Sequence, residues 1–223
     1  MRSLKRGFTL IELIVGIVLL AVALTGILGL LINQAPQAVD PVQQVRAAQL
    51  AQRLSGEILQ KSFDEQSDHN GGRYRCGETL NSQFYGDCSC PVGVACTQRP
   101  PAPAITGWQP SVYGPDGGER APYTFNDVDD YQTSAICAKG WVEVSCLNGD
   151  WIDAAFFTQT DSKVASDEYR NYQVKIAVSA VVFNADGSFD SCSDHCSTGK
   201  RIDLQVKLPD ESVLDFSFYR GNY

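Results

Sequence analysis

From Phe8 to Ile32 the chain carries a single charged side chain, Glu12, and residues 13–32 carry none. An α-helix rises about 1.5 Å per residue, so roughly 20 such residues cross a hydrocarbon core about 30 Å thick. Backbone in lipid must satisfy its own hydrogen bonds, which makes helix the only conformation open to this stretch. Arg2, Lys5 and Arg6 stand immediately before it. The positive-inside rule keeps that basic end cytoplasmic and sends the remainder across the membrane. Glu12 is the anomaly, because a carboxylate within hydrocarbon costs about 2.5–3.5 kcal/mol even on the lenient insertion scale.

Two simple readings each leave something over. A secretory signal peptide has the right basic start, but this apolar run exceeds the roughly 7–15 residues of a signal core. Asn33, Gln34, Pro36 and Gln37 also spoil a small-residue cleavage signature at its end. A plain single-pass anchor accounts for the length, yet gives no reason for Glu12 or for Gly7 at the junction.

Past the apolar run, Pro36 and Pro41 are expected to interrupt the first helix or bound it, since each lacks an N–H donor. Helical periodicity then resumes. Ala47, Leu50, Ala51, Leu54 and Ile58 fall on one stripe, with Gln49, Gln52, Arg53 and Gln60 opposite, as for a helix laid on a sheet. Gly56 weakens that helix by about 1 kcal/mol relative to alanine. Residues 64–125 are rich in turn signals (SDHNGG, RPPAPA, YGPDGG) and predict little regular structure.

The C-terminal part alternates. Tyr172, Val174, Ile176, Val178 and Ala180 form one apolar series, Ile202, Leu204, Val206 and Leu208 a second, and Leu214, Phe216 and Phe218 a third. Polar residues stand between them, so these are half-buried strands, and PDES at 209–212 is short enough to join the last two as a hairpin. ADGS at 185–188 reads as a turn. The expected class is α+β, a long N-terminal helix packed across an antiparallel sheet with a disulfide-rich loop region.

All eight cysteines follow residue 75, in the part placed outside the membrane, which suits disulfides in an oxidising compartment. Proximity suggests that Cys137 and Cys146 staple a hairpin around AKGWVEVS, that Cys192 and Cys196 close a short loop, and that Cys76, Cys88, Cys90 and Cys96 form a local group. Zinc is disfavoured because C-x-C at 88–90 lacks the ligand spacing, although His195 lies inside 192–196. CSDHC is not a haem-attachment string. Asp127, Asp129 and Asp130 in FNDVDDY, with Asp116 and Glu119 upstream, offer oxygens for calcium but lack the EF-hand spacing. A solvated acidic loop is the expectation there.

The net charge of −8 and the lack of a basic patch argue against nucleic acid as a partner. His69 and His195 are the only histidines, and no hydrolase elbow, zinc-protease string or phosphate loop is present. Neither an enzyme nor a cofactor is expected.

The string G-FTLIEL resembles the class III leader of type IV pilins and pseudopilins. That resemblance implies cleavage by a prepilin peptidase between Gly7 and Phe8, N-methylation of Phe8, and an assembly role for Glu12 as the fifth mature residue. It implies a leader at 1–7, a transmembrane and filament-core helix at 8–32, an amphipathic helix at 33–63 and a periplasmic or extracellular domain at 64–223. The subunit would cross the inner membrane once, meet the pilus assembly machinery and join other major and minor pilins in a surface filament. EILQKSFDEQSDHNGGRYRCGE at 57–78 and FNDVDDY further resemble D-type minor pilins of mannose-sensitive haemagglutinin (MSHA) pili, which serve surface attachment. A pseudopilin of a type II secretion system is the alternative, and a membrane-anchored periplasmic enzyme a more distant one.

Overall fold

The computed structural model describes residues 9–68, 74–93, 95–104, 106–160, 167–192 and 198–222, with the backbone alone for 30–40 and 167. The chain divides into two units, Met1–Val45 and Arg46–Tyr223. Helix α1 (Leu10–Gln60) runs through both.

In the first unit, the segment Leu10–Gly29 is long and apolar enough to cross a membrane, with mean hydropathy 2.7 and none of it buried within the chain. The expected break at Pro36 and Pro41 does not occur, and α1 continues through both prolines. Each proline costs one backbone hydrogen bond, but a helix already running on both sides need not be nucleated again.

The second unit begins with the last turns of α1. Ala47, Leu50, Ala51, Leu54 and Ile58 are all buried, at 0–3% exposure, and share one core with the sheet. The loop-rich stretch that follows holds a two-residue pair, β1 (Thr79–Leu80) with β2 (Gln83–Phe84). Next come the short helix α2 (Thr133–Ala138), strands β3 (Cys146–Leu147) and β4 (Trp151–Asp153), and α3 (Ala154–Phe157). The last strands are β5 (Gln173–Phe183), β6 (Phe189–Ser191), β7 (Gly199–Lys207) and β8 (Val213–Gly221).

Among the described residues, these last six strands form one antiparallel sheet in the order β3-β4-β5-β7-β8, with β6 added to β5. Val174, Ile176, Val178 and Ala180 of β5 and Ile202, Leu204 and Val206 of β7 face the core. The β7–β8 register pairs Lys207 with Val213, so the expected hairpin forms around 209–212. The ADGS turn likewise joins β5 to β6, which pair from Phe183 and Phe189 onward.

Cys137 ends in helix α2 and Cys146 in β3, so their disulfide ties a helix to a strand rather than stapling a hairpin. The hairpin in this region is β3–β4. Its turn residues Asn148, Gly149 and Asp150 all have positive φ, a conformation that Asn, Asp and Gly adopt most readily.

Candidate functional site

Among the described residues, two places carry unusual chemistry. The first is the start of α1. Thr9 precedes the helix, and its backbone N–H and hydroxyl donate to Glu12 Oε2 at 3.2 and 3.1 Å. Glu12 N donates in return to Thr9 Oγ1 at 3.4 Å. T-L-I-E is thus a reciprocal capping box, which satisfies helix-end N–H groups that lipid would leave bare. Glu12 itself is exposed, as are the apolar side chains that follow it. Gly7 and Phe8 lie outside the described residues.

The second place is buried. Lys200 lies on β7, two residues before Ile202 and in phase with the inward series, and it is 1% exposed. Its Nζ donates to Phe63 O at 2.6 Å, to Asp64 Oδ2 at 2.8 Å and to Asp129 Oδ1. The rings of Phe63 and Tyr113 flank it, with centroids 4.7 and 5.0 Å from Nζ. Burying an ammonium in apolar surroundings is costly, and only direct pairing makes it tolerable.

Each partner is held from a different part of the chain. Just past α1, Ser62 pairs with the segment around Asp127: Ser62 N donates to Asn126 O and Val128 N donates to Ser62 O, both at 3.1 Å. This lays Phe63 and Asp64 beside FNDVDDY. Asp64 also accepts from Gln66 N at 3.1 Å, Ser89 N at 2.8 Å and Ser89 Oγ at 3.0 Å. Ser89 is positioned by its neighbours, because Cys88 is bonded to Cys76 and Cys90 to Cys96. Asp129 opens a single 3-10 turn, Asp129–Tyr131, with Asp127 Oδ1 accepting from the N–H groups of Asp129 and Asp130 at 2.9 and 3.2 Å.

The expected solvated acidic loop is therefore wrong: Asp127, Asp129 and Asp130 are 2–3% exposed. The turn faces inward because Tyr131, fully buried, packs against Phe125 and Phe157 and donates its hydroxyl to Glu57 Oε1 of α1 at 2.8 Å. Desolvation dominates the acid chemistry. Burial, with Asp129 and Asp130 beside it, pushes Asp127 well above the ordinary carboxylate range. Burial raises Asp129 too, against the pull of Lys200. Burial also lifts Asp130 to about 8, with Glu119 and Asp129 adding to the rise. Burial draws Lys200 down, but Asp129 and Asp64 outweigh it and the net shift is upward.

These oxygens do not form an open calcium cage. Asp127 and Asp130 turn to backbone N–H groups, Asp129 turns to Lys200, and Asp116 is exposed. Asp64 also lies near Cys76 and Cys88, but that disulfide withholds both sulfurs from a metal. Cys192 is disulfide-bonded as well, while Cys196, His69 and His195 lie outside the described residues. Lys200 and Asp64 are the residues that sequence reasoning missed. The signal for Lys200 was present, since extending the alternation of β7 back from Ile202 places it on the buried face.

An apolar N-terminal helix continuing into an amphipathic one, an antiparallel sheet and a disulfide-tied loop region define an α+β protein of pilin-like architecture. Residues 2–28 match the family model of the prokaryotic N-terminal methylation motif, which supports a type IV pilin-like subunit, a structural part rather than an enzyme. Comparison with curated proteins and with solved structures gave no match.

Proposed function

We propose that the chain is a minor pilin of an MSHA-type type IV pilus that supports pilus biogenesis and surface adhesion. The observation that carries this reading is the methylation motif at 2–28 overlapping the apolar helical segment Leu10–Gly29, none of which is buried among the described residues. Such a surface needs lipid before assembly and other subunits after it. The MSHA assignment draws its support from the resemblance of residues 57–78 and of FNDVDDY to D-type minor pilins.

On this reading a prepilin peptidase cuts between Gly7 and Phe8, residues 1–7 are discarded and the Phe8 amine is methylated. The Phe8 amine and Glu12 of adjacent subunits then pair at the edge of the apolar core. Residues 8–32 become the filament core, and 64–223 the domain displayed around it. The test is mass spectrometry of sheared, purified pili, compared with the membrane fraction. The mature chain is expected in the pili with Phe8 first, and Gly7→Val is expected to stay in the membrane with its leader attached. Recovery with a type II secretion complex and absence from sheared pili would assign the pseudopilin role instead.

A further inference from the structure

We propose that Lys200 and Asp129 are condensed in the mature protein into an intramolecular isopeptide bond, with Asp64 and Asp127 as the acid–base pair that forms it. This inference stands apart from the pilin reading and rests on the geometry around one amine. Lys200 Nζ touches the carboxyl groups of both Asp129 and Asp64 within a pocket closed by Phe63 and Tyr113.

The two acids are not equivalent. Asp64 is engaged by three further donors, Gln66 N, Ser89 N and Ser89 Oγ, which fix it as an acceptor. Asp129 contacts Lys200 Nζ and lies beside Asp127, whose Oδ1 accepts from the Asp129 N–H at 2.9 Å and whose carboxyl is pushed toward the protonated form by burial and by Asp129 and Asp130. Asp129 is thus the electrophile, Asp64 the proton acceptor and Asp127 the proton donor.

The step balances without an outside reagent. The Lys200 ammonium passes one proton to the Asp129 carboxylate, which leaves a neutral amine beside a carboxylic acid. The Nζ lone pair attacks Asp129 Cγ, and the nitrogen gives a second proton to Asp64. Asp127 protonates the departing hydroxyl, the C–O bond breaks, and one water leaves. Asp64 and Asp127 hold one proton between them before and after, so the net change is ammonium plus carboxylate to amide plus water.

Two physical effects favour this. The fold fixes amine and carboxyl in contact, and effective molarities for well-oriented groups reach about 10⁵–10⁸ M. Condensation also removes two buried charges whose desolvation opposes folding. The product would join β7 to the turn at 129–131, across 71 residues of chain.

The test uses full-length protein extracted from membranes, reduced, alkylated and digested with trypsin, which does not cut after an acylated lysine. The expected product is a branched peptide joining 121–139 to 176–201, one water lighter than their sum, with Lys200 uncut. Asp127→Asn keeps the shape of the side chain but has no acidic proton to give, and is expected to yield linear peptides cut after Lys200. Linear peptides from the wild type would overturn the proposal, as would a branch to the peptide 62–73 that carries Asp64. A branch that persists in Asp127→Asn would remove Asp127 from its role. Since the readout is internal to the domain, it is independent of how the leader is processed.

Discussion

Replacing Glu12 by glutamine separates the two tasks that its position suggests. In the single chain Glu12 closes a capping box with Thr9, through contacts of 3.1–3.4 Å. Glutamine keeps an oxygen acceptor and hence the cap, whereas alanine loses it, at about 1 kcal/mol or roughly fivefold. The proposed pairing with a neighbour's amine needs the charge. Two unit charges about 4 Å apart attract by roughly 4 kcal/mol at an effective dielectric of 20. Desolvation takes back part of that, but a tenfold loss of incorporation needs only about 1.4 kcal/mol. The assay is the ratio of subunit in sheared pili to subunit in the membrane, measured by quantitative mass spectrometry at matched expression. If charge is what matters, Glu12→Gln and Glu12→Ala fall together by about tenfold or more. Normal incorporation of Glu12→Gln with a roughly fivefold loss for Glu12→Ala would refute the pairing and leave the cap as the reason for the residue.

Leu54→Ala removes a fully buried side chain from the helix stripe and is expected to cost about 2–5 kcal/mol, lowering Tm by about 5–15 °C in detergent-extracted protein. Gln52→Ala on the opposite, exposed face should move Tm by less than about 2 °C, and equal shifts would contradict the docking of that face. The raised pKa of Asp130 means that the folded state holds a proton the unfolded state has lost between pH 3.8 and about 8. Stability should therefore fall as pH rises through that window, and more gently in Asp130→Asn; identical slopes in thermal melts at pH 5 and 8 would refute the assignment. Replacing Cys76 and Cys88 together by serine is expected to cost about 2–5 kcal/mol, partly through the looser hold of Ser89 on Asp64, and a wild-type Tm would count against this.

The parts of the fold that could be read from sequence are those where periodicity persists. The stripe from Ala47 to Ile58 and the alternation in β5 and β7 repeat often enough to fix a buried face, and the alternation in β8 a half-buried one. Strands β3, β4 and β6 are two or three residues long, too short for a period; β4 and β6 pair with the long β5, and β3 folds back onto β4 through a tight turn. The continuity of α1 through two prolines was hidden because the local rule stops a helix there, while the residues beyond resume it. At the buried site, the inward position of Lys200 was legible but its partners were not. Three aspartates in FNDVDDY look like a solvated turn until Tyr131 and Lys200 are known to draw them in. Nothing local links them to a lysine so distant in sequence.

That distance has a consequence for how the protein is made. Asp64 precedes Lys200 by 136 residues and Asp129 precedes it by 71, so both acids are synthesised long before their cation. A growing chain cannot bury them at acceptable cost until β7 emerges, and closing so long a loop is entropically late as well. The centre of this domain thus reports on completeness. A chain that stops short of residue 199 keeps its acids in water and its core open, and remains a substrate for proteases, whereas the finished chain locks from within when its last hairpin arrives.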